Sequence, residues 1–201
     1  MRAVHNCAYV EPAGAFAVVE IPEPPLPGRF QVLVGMDFSC ITHDDLKTLS
    51  GRGGPLPLLP SVAGIAGMGT VLAVGPSVED VKVGEQVVLP RTRHTWTERL
   101  IVQSAELVPV EAIKAGLPQA KGCSFETHSY AEVGQFESMI EQSAELIKLL
   151  LWPGAGIAES SESPKVFPLW KIRSAVEHAL AGCQVLLDIR IPPDGRLGAD
   201  Q

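Results

Sequence analysis

The sequence predicts a mainly β fold with added helices (α+β), in which a partly open β-barrel is followed by C-terminal helices and a closing strand. Three observations lead to this fold class. The 19 glycines and 17 prolines among 201 residues favour many short strands and turns over a helical bundle. Short apolar runs recur at roughly 8–15-residue spacing in the first half of the chain. Beyond residue 134, apolar residues recur three and four positions apart, as on amphipathic helices.

The N-terminal half is expected to contain the barrel. Proline cannot donate a hydrogen bond to a β-ladder, so the cluster of Pro22, Pro24, Pro25 and Pro27 marks a loop between strands. Around that loop the apolar runs alternate with polar or glycine-containing connections. The predicted strands are residues 16–21, 31–36, 69–75, 85–90, 97–102 and 105–109.

The C-terminal half is expected to complete the same domain. Residues 135–151 form a predicted amphipathic helix that Pro153 and Gly154 end, and residues 169–181 form a second helix. Residues 184–191 follow as a closing strand. The predicted organisation is therefore a barrel over residues 1–110, a short joint over 111–134, and helices with a closing strand over 135–201.

Composition narrows the class of protein. The chain has 16 basic and 23 acidic residues and a formal net charge of −7, which argues against a nucleic-acid-binding surface. Its four cysteines show no CxxC spacing and read as free thiols in a reducing compartment. The N-terminus lacks the apolar run of a signal peptide, and the apolar stretch at 146–152 is too short to cross a bilayer. We expect a cytoplasmic protein with neither nucleic-acid nor membrane partners.

The glycine-rich stretch at residues 64–69 has a spacing similar to that of a phosphate-binding loop. Such a loop needs a helix directly after it, so that the helix N-terminus faces the phosphate. Here β-branched residues and Gly75 follow, which indicates a strand. Tight turns of a barrel are therefore the favoured interpretation.

Several motifs, in order, resemble the catalytic domain of the medium-chain dehydrogenases and reductases, a GroES-like partly open barrel. The family pattern P-x-x-x-G-x-x-G-x-G-x-V runs from Pro60 to Val71, and its K-x-G-D-x-V pattern runs from Lys82 to Val87 with glutamate in place of aspartate. Residues 38–46 fit the substrate-cleft turn, and residues 95–98 resemble a segment of the enoyl-reductase and quinone-reductase branches. Residues 135–151 and 165–180 resemble the C-terminal end.

The resemblance also shows what this chain lacks. The family inserts a Rossmann cofactor domain of roughly 130–150 residues before its C-terminal end, whereas only residues 111–122 stand in that gap here. No Rossmann domain and no nicotinamide cofactor are therefore expected. Thr42, Ile65 and Ala66 occupy the positions of the zinc ligands, and these side chains cannot replace thiolate and imidazole. Gly53 falls where the enoyl-reductase branch has a tyrosine. No metal is expected either.

What could remain is the substrate cleft, where the resemblance places a cluster of polar side chains. Arg91 and Arg93 would stabilise an anion, and Trp96 would offer a stacking face. His94, or His43 paired with Asp44 or Asp45, would transfer a proton. The competing interpretation is that they are exposed loop charges and solvated linker residues. The catalytic candidates are His43, Asp45, Arg91, Arg93 and His94, and the substrate-binding candidates are Thr42, Arg52, Trp96, Glu126, His128 and Tyr130.

Three hypotheses about function follow. The first is a cofactor-independent enzyme that cyclises, isomerises or eliminates from a small acyl or polyketide-like biosynthetic intermediate. The second is a non-catalytic binding module, in which a homodimer or another partner covers the face that the family's Rossmann domain would cover. The third is an NADPH-dependent reductase whose cofactor site a partner supplies. We rank this third hypothesis last because the catalytic positions inside the barrel have changed as well.

Overall fold

The computed structural model describes residues 1–52, 55–90, 92–114 and 165–190, and these residues form a mainly β fold. The strands are β1 (Arg2–Asn6), β2 (Phe16–Glu20), β3 (Gln31–Cys40), β4 (Ser61–Val62), β5 (Gly67–Val74), β6 (Gln86–Leu89), β7 (Arg99–Gln103), β8 (Val108–Pro109), β9 (Lys165–Pro168) and β10 (Val185–Asp188). The α-helices are α1 (His43–Leu49), α2 (Val110–Lys114) and α3 (Ile172–Leu180).

Strand β3 organises the larger sheet. One edge of β3 pairs antiparallel with β5 along most of its length. Its other edge pairs first with β7, over Gln31 to Gly35, and then with β10, over Phe38 to Cys40. Alternate residues of β3 are buried, because successive side chains of a strand point to opposite faces. The sheet continues through β6 and β8 beyond β5 and through β9 beyond β10.

A smaller sheet has the order β2-β1-β4 and lies against the segment that precedes β7. The backbone N–H of Val4 donates to the carbonyl of Trp96 at 2.9 Å, and that of Ala63 donates to Val4 at 2.8 Å. The N–H of Trp96 donates in turn to Ala63 at 3.0 Å. These three bonds hold together β1, β4 and the residues around Trp96 that precede β7, which we call the Trp96 segment. They lie next to the candidate site.

The C-terminal residues form one parallel unit, in which β9 and β10 pair side by side and α3 connects them. A 3₁₀ turn, Leu169–Lys171, leads from β9 into α3. Ile172, Ala175 and Val176 of α3 face the core. The largest fully buried side chains of the described core are Trp96, Phe38, Leu49, Met68, Leu89, Leu169, Leu187, Ile189, Val4, Val32 and Val34.

The predicted fold class is confirmed, with differences in single elements. The predicted strand at 105–109 is a 3₁₀ helix, Ser104–Glu106, followed by the two residues of β8, because the Glu106 carboxylate accepts from the N–H of Gln103 at 3.0 Å and closes a turn. The substrate-cleft turn is the end of β3 followed by α1. Strands β1, β4 and β9 were not predicted. The predicted helix at 135–151 and most of the predicted joint lie outside the described residues.

Within the described ranges, no helix has both the length and the apolar character needed to cross a bilayer.

Candidate functional site

A pocket of about 180 Å³ opens between α1, β4, the proline-rich segment before β4 and the Arg93–His94 turn. One wall is apolar and is formed mainly by Leu49, Pro55, Pro57, Val62, Ala63 and Ile65. The hydroxyl of Tyr9 donates to the carbonyl of Pro57 and ties the proline-rich segment to the rest of the fold. The polar lining residues are Asn6, Asp45, Thr48, Ser61, Arg93 and His94.

Asp45 is a buried carboxyl group that also caps a helix. Thr42 is the N-cap of α1, and its hydroxyl accepts from the N–H of Asp45 at 3.1 Å. In return, Oδ2 of Asp45 accepts from the Thr42 hydroxyl at 2.6 Å and from the Thr42 backbone N–H at 2.8 Å. Burial raises the pKa of Asp45 to about 7, although these hydrogen bonds favour the charged form. Asp45 therefore exchanges protons near neutral pH.

His94 lies at the rim of the pocket in a left-handed backbone conformation, with φ of 73°. Its N–H donates to the carbonyl of Gly64 at 2.8 Å, which holds the turn against β4. His94 is an exposed residue, but desolvation of its ring and the charge of Arg93 lower the pKa of the imidazole. The ring is therefore uncharged at neutral pH and able to accept a proton.

Asn6 and Ser61 form a polar floor whose side-chain atoms have no hydrogen-bond partner among the residues that the structure describes. They face each other in the antiparallel pair of β1 and β4. Asn6 is 2% exposed, and neither Nδ2 nor Oδ1 has a hydrogen-bond partner. The buried Oγ of Ser61 is also unpartnered. All three atoms are closed to solvent. Because buried polar groups in proteins are nearly always paired, these atoms are the unused hydrogen-bonding groups beneath the pocket surface.

Some of the predicted site residues come together in this pocket. Asp45, Arg93 and His94 line it, and Thr42 supports it through Asp45. Asn6, Ser61 and Thr48 also line it but were not among the predicted residues. A lone asparagine in a short strand carries no motif, so the sequence signal for Asn6 was only its polarity within an otherwise buried run.

Other predicted residues lie outside the lining of this pocket. His43 is an exposed residue at the start of α1, while Asp45 turns back to Thr42, so the proposed His43–Asp45 pair is not formed. Arg52 is exposed and outside the pocket lining. Trp96 is fully buried and its Nε1 donates to the carbonyl of Cys40 at 3.4 Å, so it packs in the core instead of offering a stacking face. Arg91, Glu126, His128 and Tyr130, together with Gly53, lie outside the described residues.

The residues at the family's zinc position do not fit zinc. The hydroxyl of Thr42 is engaged by Asp45, and Ile65 and Ala66 offer no metal-ligating side chain. Cys40 is nearby in the chain, but burial raises the pKa of its thiol well above the ordinary value and disfavours the thiolate that metals require. In the part of the chain that the structure describes, no cluster of three or more His, Cys, Asp or Glu side chains could hold a metal.

The described residues do not fit a nicotinamide dinucleotide either. The β9–α3–β10 unit has the strand–helix–strand order of a dinucleotide-binding motif. However, its strand-to-helix turn is Leu169–Lys171, which contains no glycine, and Leu169 is 1% exposed. A pyrophosphate needs close approach to backbone N–H groups at a helix N-terminus, which glycines permit. Large side chains occupy that position here.

Comparisons with known proteins agree with the fold and the motifs. Residues 28–131, more than half of the chain, match the model of the alcohol dehydrogenase GroES-like domain. The chain therefore belongs to this family, within the medium-chain dehydrogenases and reductases.

The individual relatives match over part of their length. A stretch of 83 residues is 36% identical to the synaptic vesicle membrane protein VAT-1 homolog of Rattus norvegicus, covering 41% of this chain and 20% of that protein. A stretch of 84 residues is 36% identical to the mitochondrial enoyl-[acyl-carrier-protein] reductase of Bos taurus, covering 41% and 22%. A crystal structure of an NAD-dependent alcohol dehydrogenase aligns with a TM-score of 0.51 and 26% identity, covering 62% of this chain and 43% of that one. The matches span about a fifth of these curated relatives.

Proposed function

We propose that this chain acts on a small uncharged carbonyl compound by proton transfer, in the pocket between Asp45 and His94. One observation carries the proposal. A carboxyl group with a pKa raised to about 7 and an imidazole with a lowered pKa line the same pocket. Groups that transfer protons in catalysis work best when their pKa lies near the working pH, and the pKa of Asp45 is raised to that range. The lowered pKa of His94 keeps its ring uncharged, in the form that accepts a proton.

His94 and Arg93, which both line the pocket, can carry this chemistry. The uncharged ring of His94 takes a proton from the carbon next to the substrate carbonyl, which leaves an enolate and an imidazolium. The guanidinium of Arg93 at the rim stabilises the negative charge of the enolate oxygen. Where the substrate has a double bond conjugated with the enolate, the imidazolium returns the proton to the far end of the conjugated system. Where it has a leaving group on the β carbon, that group departs with its bonding electron pair and takes up the proton from the imidazolium. The net reaction is an isomerisation or an elimination, with no hydride transferred.

Deuterium exchange tests the proposal without knowledge of the natural substrate. Methyl acetoacetate and acetoacetamide are small, uncharged and carry exchangeable protons between two carbonyl groups. We expect the protein in D₂O to accelerate loss of those proton signals in NMR spectra, with saturation in the probe. His94→Asn should remove most of this acceleration, about 100-fold or more, because asparagine tolerates a positive φ but cannot act as a base.

The control and the contradicting results are specific. Glu85→Gln changes a charge outside the pocket lining and should leave the exchange rate unchanged. Equal exchange in wild type and His94→Asn would contradict proton transfer by His94. Consumption of NADPH with a carbonyl probe, followed by its absorbance, would instead support the hypothesis of a reductase.

A second candidate function is a non-catalytic binding module. The capping role of Asp45 favours it, because that role gives the burial of this carboxyl a structural reason. Binding of a probe with chemical-shift changes at the pocket, but without accelerated exchange, would support this candidate over the enzyme.

A further inference from the structure

We propose that the pocket recognises a primary or cyclic amide, through paired hydrogen bonds to Asn6 with Ser61 as a third contact. This inference rests on the proposed function only in placing the ligand in the same pocket, and it adds the chemical class of the group that is bound.

Asn6 has hydrogen-bonding atoms that the described residues leave unpaired. The side-chain amide has a donor, Nδ2, and an acceptor, Oδ1, and both lack partners although the residue is 2% exposed. Ser61 stands directly opposite on β4 and adds a buried hydroxyl that can donate or accept. The two residues therefore offer an NH₂ donor group, a carbonyl acceptor and a hydroxyl that serves as either. These atoms are closed to solvent in the free structure, so the ligand reaches them by displacing the side chains that cover them.

These groups match an amide on the ligand. A donor beside an acceptor on the protein pairs with an acceptor beside a donor on the ligand, which is the arrangement in an amide. A ketone or an ester offers acceptors alone and leaves Oδ1 of Asn6 without a donor. A buried group left unpaired costs binding free energy, so an amide is favoured over an ester of the same size.

Three ionisable side chains line the pocket. Burial raises the pKa of Asp45 and desolvation lowers the pKa of His94, and both shifts favour the neutral forms. Arg93 carries a positive charge and is exposed. The remaining wall is apolar. A cationic head group would lose its hydration without a partner of opposite charge, and an anionic one would meet only the exposed guanidinium of Arg93, whose charge solvent screens. An uncharged amide fits both the polar floor and the apolar wall.

Buried polar atoms that have no partner until a ligand binds should lower the stability of the free protein. Replacement of Asn6 by leucine, which has the same branching and the same number of side-chain heavy atoms although it is larger, removes two unpaired buried polar atoms. We therefore expect Asn6→Leu to unfold at an equal or higher temperature than wild type. The variant thus remains folded and separates binding from stability.

The experiment compares the dissociation constants of acetoacetamide and methyl acetoacetate, measured by NMR titration of the complete chain. We expect wild type to prefer the amide by about 5- to 100-fold. In Asn6→Leu the preference should fall to about one, and in Ser61→Ala it should shrink by a smaller factor. Glu85→Gln should keep the full preference, because Glu85 lies outside the pocket lining.

The outcomes separate this inference from the proposed function. A preference below about twofold in wild type, or a preference that persists in Asn6→Leu, overturns the amide inference even if exchange depends on His94. A preference lost in Asn6→Leu, with no exchange attributable to His94, supports amide recognition and contradicts proton transfer. Failure of wild type to bind either probe overturns both.

Discussion

At the scale of single residues, two left-handed backbone conformations shape the rim of the pocket. Gly64 has φ of 94° and His94 has φ of 73°, and the carbonyl of Gly64 accepts the N–H of His94. A Cβ atom on Gly64 would lie 2.3 Å from Cδ1 of Trp96 and 2.7 Å from its backbone nitrogen. No side chain can be accommodated there without moving backbone, so Gly64 fixes how closely β4 approaches the Trp96 segment.

We predict that Gly64→Ala lowers the free energy of unfolding by more than about 3 kcal/mol, because backbone strain and a steric clash add. Gly84→Ala is the matched control, since Gly84 has φ of 89° but nothing within 4 Å of the added Cβ. Strain alone should cost about 1–2 kcal/mol there. Denaturant unfolding of both variants measures the difference, and equal losses would show that the contact with Trp96 is unimportant.

At the scale of elements, the short helix α1 and the β1–β4 pair carry the chemistry of the pocket. The capping box of Thr42 and Asp45 begins α1 and at the same time holds a carboxyl group at the pocket. The β1–β4 pair brings Asn6 opposite Ser61. Both elements are short, so their stability depends on packing against the barrel more than on intrinsic propensity.

We predict that Asp45 makes the protein less stable as the pH rises from about 4 to about 7. The unfolded carboxyl loses its proton near its ordinary pKa of 3.8, whereas the folded one keeps it until about pH 7. The folded state therefore binds more protons in this range, and its stability falls with rising pH. Asp45→Asn removes the ionisation and keeps an acceptor for Thr42.

Melting temperatures of wild type and Asp45→Asn between pH 4 and pH 8 test this prediction. Asp37 also has a raised pKa and acts in the same direction, whereas the lowered pKa of His94 makes stability rise with pH below about 6.5. Both contributions cancel in the difference between the two proteins. The difference should favour the variant increasingly up to about pH 7, and a difference independent of pH would contradict the prediction.

At the scale of the whole molecule, a buried ion pair joins the first strand to distant parts of the chain. Nε of Arg2 lies 2.5 Å from Oε1 of Glu98, and Oε2 of Glu98 accepts the backbone N–H of Arg2 at 2.8 Å. The guanidinium of Arg2 also lies 5.7 Å from the ring of Trp170, in the C-terminal unit. Arg2 thus links β1, the segment before β7 and the turn before α3.

We predict that Glu98→Ala lowers the free energy of unfolding by about 3–5 kcal/mol, because it leaves the charge of Arg2 buried without its partner. Glu23→Ala is the control, since Glu23 pairs with Arg99 at the surface, where solvent screens the charges. That variant should unfold close to the wild-type midpoint. A similar loss in both variants would contradict a special role for the buried pair.

The extent to which sequence predicts this molecule differs between fold and site. Strands β3 and β5 are predicted by their apolar patterns, and the glycine motif indicates the family, because local spacing carries that information. Strand β1 is missed because only two of its residues, Ala3 and Val4, are apolar, and Arg2 is buried through its distant partner Glu98.

The site is predicted in part for related reasons. Arg93 and His94 are recognised because the resemblance places their turn at the cleft. Burial of Trp96 and the raised pKa of Asp45 depend on which elements pack over them, and no local pattern reports that packing. The unpartnered state of Asn6 is a property of the assembled pocket.

The most direct test of the central claim is to map the amide chemical shifts of the ¹⁵N-labelled chain with acetoacetamide and, separately, with NADPH. Our account predicts saturable shifts at Asn6, Asp45, Ser61, Gly64 and His94 with acetoacetamide, and none with NADPH at comparable concentrations. Saturable shifts with NADPH, or acetoacetamide shifts that avoid this pocket, would contradict it.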